Sequence, residues 1–190
     1  MQTDTLPMRQ QEDWQSQLRN VVSSAQQLLA LLQLDPAEAG YSAAACRDFA
    51  LKVPLAFVRR MRVGDPSDPL LLQVLARTEE LAEVPGFSRD PVGDTGTANP
   101  ARGIIHKYRG RALLIVSSGC AINCRYCFRR HFPYSANQNS RAEWREALAY
   151  IAGDAGISEV ILSGGDPLLA SDDYLAELVS RIAAISHVRR

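Results

Sequence analysis

Three cysteines lie close together in the segment SSGCAINCRYCFRRHFPY of this 190-residue chain. Cys120, Cys124 and Cys127 are separated by three and then by two residues. Thiolates are soft ligands that suit zinc and iron–sulfur clusters, so this spacing indicates metal chemistry. Structural zinc sites and ferredoxin clusters normally take four protein ligands. Three thiols therefore predict a site that keeps one coordination position open for a substrate or cofactor.

Two other interpretations of these cysteines remain open. Positions i, i+4 and i+7 would also place three free cysteines on one buried face of a helix. Alternatively, His131 or the distant Cys46 would complete a structural zinc site. Cys46 itself, in AAACRDFA, is typical of a small residue in the core of a helix.

A second unusual segment, SGGDPLL, directly follows the apolar run EVIL. Two glycines, Gly164 and Gly165, would let the backbone approach a ligand where a Cβ atom would intrude. Gly-Gly-Asp-Pro is equally typical of a simple turn. The segment alone therefore leaves both a ligand loop and a plain turn open.

Basic residues surround the last cysteine, namely Arg125, Arg129, Arg130 and His131. One interpretation is a solvated basic face or a nucleic-acid patch. The composition gives no general support for it, because 21 Lys and Arg side chains balance 21 Asp and Glu. A planar guanidinium is also suited to hold a carboxylate with two hydrogen bonds.

The elements that must position these segments change character along the chain. Residues 1–100 are predicted to form a helical region, with helix starts at Ser23-Ser24, Asp35-Pro36 and Asp68-Pro69. Prolines, glycines and small polar residues replace the apolar pattern between Val84 and Gly103, which predicts a linker or surface loop.

Residues 101–190 predict an α/β architecture of two consecutive βα units. Apolar runs predict buried strands over 111–116 and 159–162, and amphipathic patterns predict a helix over 141–152 and another after the cap Ser171. Such units favour a parallel sheet, open or closed into a barrel, with function on the loops after the strands. Both the cysteine segment and SGGDPLL follow such a strand.

The segment CAINCRYC resembles the CxxxCxΦC signature of the radical S-adenosylmethionine (SAM) enzymes, with Tyr126 at the aromatic position. The resemblance implies a partial (βα) barrel whose three cysteines hold a 4Fe-4S cluster, with SAM bound at the fourth iron and its adenine near Tyr126. It implies reductive cleavage of SAM to a 5′-deoxyadenosyl radical. It also implies that the methionyl amino group of SAM is bound by the GGE-type motif, matched here by Ser163, Gly164, Gly165 and Asp166.

Within that superfamily, SGGDPL and CRYCFRR resemble the lysine 2,3-aminomutase family, whose second cofactor is pyridoxal 5′-phosphate. The resemblance implies that Arg129 holds the substrate carboxylate. The segment HKYRGRALL resembles the family segment that lies near pyridoxal phosphate, which implies that Tyr108 and Arg111 are beside that cofactor.

Three further segments, RRHFPY, DPLLLQVL and PGFSRDP, resemble the branch of this family that converts (S)-α-lysine to (R)-β-lysine for elongation factor P. That branch implies free lysine as substrate and a functional link to elongation factor P and its β-lysine ligase, with no direct nucleic-acid partner. Homo-oligomer formation stays open. The alternatives are another radical SAM amino-acid mutase of the same family and a non-catalytic iron–sulfur or zinc module.

The chain has only two lysines, Lys52 and Lys107, and neither occupies the position far toward the carboxyl end where the family binds pyridoxal phosphate. Two βα units also cannot close a sheet or cover both of its faces. We therefore expect the amino-terminal part of a longer enzyme, inactive as a mutase by itself. The sequence predicts no signal peptide or membrane span, and hence a cytoplasmic protein.

Overall fold

The computed structural model describes residues 13–137, 140–141 and 143–190. They group into two compact units, each made of two stretches of chain. The first unit holds the described residues up to Phe87 and Ala121–Arg130, and the second holds Ser88–Cys120 and His131–Arg190. The two units are groups of residues that contact one another, and they do not test whether each would fold by itself. The predicted boundary at residue 100, between a helical region and the βα units, therefore stays a prediction.

The first unit is built mainly from short helices. It also contains a two-stranded antiparallel ribbon, which the sequence pattern does not predict and which pairs residues 21–22 with residues 53–54. In chain order the elements are α1 (Trp14–Arg19), β1 (Val21–Val22), α2 (Ala25–Leu31), α3 (Ala43–Asp48), β2 (Val53–Pro54), α4 (Leu55–Val58) and α5 (Pro69–Val74).

Two of the three predicted helix starts in this unit are confirmed. Ser24 accepts a hydrogen bond from the Gln27 amide, and the buried Asp68 accepts from the first two free amides of α5. The helix predicted at Asp35-Pro36 is wrong. Asp35 does accept from two following amides, but the chain makes only a turn that ends at Gly40, where φ is +68°.

The core of the first unit is aliphatic. The largest side chains that are fully buried there come from α2 and α5, from the residue that follows each of these helices and from the turn after α4; they are Leu28, Leu29, Leu32, Met61, Leu71 and Leu75. Cys46, on α3, is partly buried against this core, as its sequence context indicates. Burial of an aliphatic face is what stabilises helices this short, since they are marginal by themselves.

The second unit contains a three-stranded sheet in the order β3-β4-β5. Its elements are β3 (Ile104–Tyr108), β4 (Arg111–Ser117), α6 (Tyr134–Asn137), α7 (Trp144–Gly153), β5 (Glu159–Gly164) and α8 (Asp172–Ala183). Strands β4 and β5 are parallel, which confirms the two βα units, whereas β3 is an antiparallel hairpin partner of β4. Ser171 caps α8 as predicted, by accepting from the Tyr174 amide.

Two local expectations in the second unit are wrong. Helix α7 begins at Trp144 and not at residue 141, because the preceding residues, where described, form a turn in which Glu143 accepts from the Ser140 amide. Strand β5 is only partly buried, and Ile161 is 37% exposed. It lies at the edge of the sheet, and the described residues contain no further strand beside it.

The residues between Val84 and Gly103 form no α-helix and no strand, as predicted for a linker or loop. Their one regular feature is a 3-10 turn over Gly96–Ala98. Asp90 organises the loop by accepting from the amides of Asp94 and Thr95 and from the Thr95 hydroxyl. None of the helices in the described part of the chain combines the length and the apolar composition that a membrane span requires.

Candidate functional site

The glycine segment of the second unit is hydrogen-bonded to the backbone that leads to Cys120. The Gly165 amide donates to the Ser117 carbonyl at 2.7 Å, and the Asp166 amide donates to the Gly119 carbonyl at 2.8 Å. Parallel pairing already aligns Ser117 with Gly164 at the carboxyl ends of β4 and β5. The loops after the two strands therefore meet, as the βα order predicts.

Neither glycine has room for a side chain. A Cβ atom at Gly165 would lie 2.2 Å from the Gly119 carbonyl oxygen and 3.1 Å from the Cys120 sulfur. At Gly164, φ is +118° and a Cβ atom would lie 2.2 Å from the Ser117 carbonyl oxygen. The diglycine is thus required for close approach of two backbones, which a free-standing turn would not need.

The remaining residues of the glycine segment are held in place by local bonds. Ser163 lies in β5, opposite Ile115 of β4. The Asp166 carboxylate accepts from the Leu168 amide at 3.0 Å and so caps a 3-10 turn over Pro167–Leu169. The Tyr134 hydroxyl donates to the Gly164 carbonyl at 2.9 Å. Sequence reasoning missed Tyr134, since nothing in its surroundings in sequence links it to a residue 30 positions away.

The part of the cysteine segment that belongs to the first unit is residues 121–130, which contain Cys124 and Cys127. It is anchored by its backbone and by one apolar side chain. Ile122 packs against the aliphatic core. The Asn123 amide donates to the Lys52 carbonyl and its side chain to the Ala50 carbonyl, both at 2.9 Å. The Arg125 amide donates to the Gln73 carbonyl at 2.7 Å. These bonds fix the backbone on both sides of Cys124.

Two of the arginines of this segment, Arg125 and Arg130, are not part of the solvated basic face that one interpretation predicted. Arg125 is only 8% exposed and donates to Glu80 at 2.7 Å and to backbone carbonyls of α3 and its end. Arg130 donates to Glu80 at 2.8 Å and to Asp48 at 2.9 Å. Both guanidinium groups also lie over the Phe49 ring. Their charge is neutralised inside the first unit.

Glu80 is the centre of this ion-pair cluster. Burial by itself would raise the pKa of its carboxyl, but the hydrogen bonds from Arg125 and Arg130 outweigh burial and lower that pKa below its usual 4.5. Glu80 also accepts from the Arg77 amide. One carboxylate thus connects the cysteine segment to the turn that follows α5.

Cys124 and Cys127 of the first unit lie at the two ends of one backbone turn. The Cys124 sulfur accepts a hydrogen bond from the Gln73 side-chain amide at 3.1 Å, while the Cys127 amide donates to the Cys124 carbonyl and closes a turn. Tyr126 is 72% exposed, and a hydrogen bond with Cys124 raises the pKa of its hydroxyl. Arg129 lies over the Phe128 ring at 5.0 Å.

The donor set fits an iron–sulfur cluster in its chemistry. All three thiols are partly buried, none forms a disulfide, and Gly165 approaches one of them without a Cβ atom. Cys120 belongs to the second unit and the other two thiols to the first. Among the described residues, no three His, Cys, Asp or Glu side chains are grouped so as to hold an ion. Ligation by the three thiols therefore stays a prediction.

Tyr108 and Arg111 lie at the opposite end of the strands from the glycine segment. Arg111 opens β4 and pairs with Glu159, the first residue of β5, at 3.1 Å. Tyr108 faces Arg111 across the hairpin and is 62% exposed. The structure does not bring either residue to the carboxyl ends of β4 and β5, where Ser117 and Gly164 lie. Their placement beside pyridoxal phosphate therefore stays a prediction.

Comparison with known proteins agrees with the motif pattern. Residues 114–189 match the sequence model of the Radical SAM superfamily. The chain is 48% identical over 189 residues to the L-lysine 2,3-aminomutase of Escherichia coli, which covers 98% of this chain and 54% of that protein. Residues 114–189 therefore belong to the Radical SAM superfamily, and the chain as a whole is similar to the lysine 2,3-aminomutases. The Radical SAM match implies a 4Fe-4S cluster and SAM as cofactors.

Other lysine 2,3-aminomutases match at different levels of identity. The protein of Haemophilus influenzae is 44% identical over 96% of this chain and 54% of its own length. The L-lysine 2,3-aminomutase of Clostridium subterminale is 29% identical over 93% of this chain and 42% of its own length. This radical SAM chain thus spans about half the length of the curated relatives it matches.

Proposed function

We propose that this chain supplies the radical SAM part of an aminomutase that converts (S)-α-lysine to (R)-β-lysine for the modification of elongation factor P, with pyridoxal 5′-phosphate as a second cofactor. The observation that carries the proposal is the pairing of two loops. A three-cysteine segment follows one strand, and a diglycine after the neighbouring parallel strand is hydrogen-bonded to its start.

In this proposal, Cys120, Cys124 and Cys127 hold the cluster and leave one iron open. Bound SAM would supply the radical that removes hydrogen from the substrate, and pyridoxal phosphate would carry the substrate amino group. The backbone around Gly164 and Gly165, at the carboxyl ends of β4 and β5, would bind the methionyl part of SAM, as the resemblance to the GGE-type motif implies.

Arg129 is proposed to hold the carboxylate of the amino-acid substrate. Its neighbours Arg125 and Arg130 are both used by Glu80, so their role is to hold the segment in place. The Arg129 guanidinium lies over the exposed Phe128 ring, 5.0 Å from its centre. Two parallel hydrogen bonds from one guanidinium would fix the orientation of an amino acid during hydrogen removal.

The choice of lysine and of elongation factor P rests on sequence. The proteins of Escherichia coli and Haemophilus influenzae, both named L-lysine 2,3-aminomutase, are more similar to this chain than the Clostridium subterminale protein. The segments RRHFPY, DPLLLQVL and PGFSRDP support the branch linked to elongation factor P.

Anaerobic reconstitution with iron and sulfide tests the proposed site. We expect a brown protein whose reduced form gives the electron paramagnetic resonance signal of a 4Fe-4S cluster, and a change of that signal when SAM is added. Replacing Cys124 by Ala should abolish the signal, whereas Cys46→Ala, in α3, should retain it. A colourless protein that binds zinc instead, or a signal indifferent to SAM, would favour the non-catalytic metal module.

A further inference from the structure

Gln73 connects the helical part of the first unit to the thiol of Cys124. It lies in the last turn of α5, half-buried, and its side-chain amide nitrogen is 3.1 Å from the Cys124 sulfur. The two residues are 51 positions apart in sequence. We infer that Gln73 is a positioning residue that donates an N–H···S hydrogen bond to the cluster ligand Cys124 and thereby raises the reduction potential of the bound cluster. This inference rests on the proposed cluster site.

The position of Gln73 is fixed by the way α5 is built. Asp68 caps the helix with two hydrogen bonds and is itself bonded by the backbone and side chain of Arg62. Leu71 and Val74, on either side of Gln73, are fully buried in the aliphatic core. The helix therefore cannot rotate without exposing both side chains, and the direction of the Gln73 side chain is set.

A second bond holds the cysteine segment in register with Gln73. Because α5 ends at Val74, the Gln73 carbonyl has no partner within the helix and accepts from the Arg125 amide at 2.7 Å. Gln73 thus forms hydrogen bonds with the Cys124 sulfur through its side chain and with the Arg125 amide through its backbone. The backbone bond keeps Cys124 beside the Gln73 side chain, which a chance side-chain contact would not do.

The chemical effect follows from where charge goes when a cluster is reduced. The added electron increases the negative charge on the cluster sulfurs and on the cysteine sulfurs that bind it. An N–H group aimed at one of these sulfurs stabilises the reduced state more than the oxidised state, so its loss lowers the reduction potential. Tyr126 also bonds the Cys124 thiol, but it is 72% exposed, where water can replace it.

Redox titration of the reconstituted full chain tests this inference. Gln73→Leu removes the donor, and Gln73→Glu keeps the shape but replaces the NH2 group by an oxygen that cannot donate when ionised. We expect both variants to load the cluster and to show a more negative midpoint potential than the wild type. The matched control is Gln27→Leu, the same change at an exposed position of α2 in the same unit, and it should leave the potential unchanged.

The outcomes separate the inference from the proposed function. A wild-type chain that binds no cluster overturns both. A cluster that loads in all variants with one common potential overturns only the role of Gln73. If the two Gln73 variants lose their far-UV circular dichroism, or keep it but cannot hold iron, the residue is structural and the tuning role is wrong.

Discussion

Gly165 is the residue where close backbone approach is most demanding. Its amide bonds to the Ser117 carbonyl, and the place of a Cβ atom is taken by the Gly119 carbonyl oxygen, 2.2 Å away. No rotamer change can relieve this overlap, because the obstacle is backbone. The same approach puts the glycine beside the Cys120 sulfur. One residue thus joins the two loops of the second unit.

Gly165→Ala should therefore destabilise the chain by about 3 kcal/mol, the upper part of the range for forced overpacking. Urea unfolding followed by circular dichroism measures the loss. The control is Gly153→Ala at the end of α7, where nothing outside its chain neighbours and its own helix backbone lies within 4 Å of the added methyl group. That change should be neutral or stabilise by up to roughly 1 kcal/mol. Equal stability of the two variants would contradict the steric argument.

The cysteine segment acts as an element that is held by charge as well as by packing. Arg125 and Arg130 converge on Glu80, which is 19% exposed as a side chain. Removing one partner of such a cluster leaves the others partly desolvated without compensation. Since the pKa of Glu80 is lowered in the folded chain, its contribution to stability is present above the unfolded pKa near 4.5 and is lost as pH falls through the folded pKa.

Glu80→Gln should accordingly lower the free energy of unfolding by about 2 kcal/mol at pH 7, since charge-assisted hydrogen bonds are lost. The difference from the wild type should shrink as pH falls from 4.5 through the lowered pKa, because the wild-type carboxylate becomes protonated there. Denaturant unfolding at a series of pH values measures it. Glu83→Gln, at an exposed position, should change stability by less than roughly 0.5 kcal/mol. A difference that does not depend on pH would show that the charge of Glu80 is unimportant.

At the scale of the whole molecule, sequence predicted what is local and missed what is distant. The βα units, the caps at Ser24, Asp68 and Ser171, and the meeting of the two loops follow from periodicity, cap chemistry and strand order. The burial of Arg125 was missed because its partner Glu80 lies 45 residues away. The Gln73 bond to Cys124 spans a similar distance, and no pattern within a helix indicates which side chain will face a loop.

The two lysines bear on the whole molecule because pyridoxal phosphate needs an unprotonated amine. The Lys107 ammonium pairs with Asp94, whose side chain is 2% exposed, and also donates to the Val92 carbonyl. If Lys107 left this ion pair to bind the cofactor, the buried Asp94 carboxylate would lose its compensating charge. Lys52 lies between α3 and β2, where its backbone carbonyl accepts from Asn123. The Lys107 side chain is thus part of the framework of its segment, and the Lys52 backbone anchors the segment that contains Asn123.

We therefore expect the 190-residue chain to form no β-lysine with lysine, SAM and pyridoxal phosphate, and to retain no stoichiometric pyridoxyl label after borohydride reduction. Chromatography of the products and mass spectrometry of the protein measure the two outcomes. Any residual pyridoxyl labelling should be non-specific, so Lys52→Arg and Lys107→Arg should leave its amount unchanged. Full labelling that disappears in one of these variants would identify a cofactor lysine within this chain, and turnover would show that the chain needs no residues beyond its own.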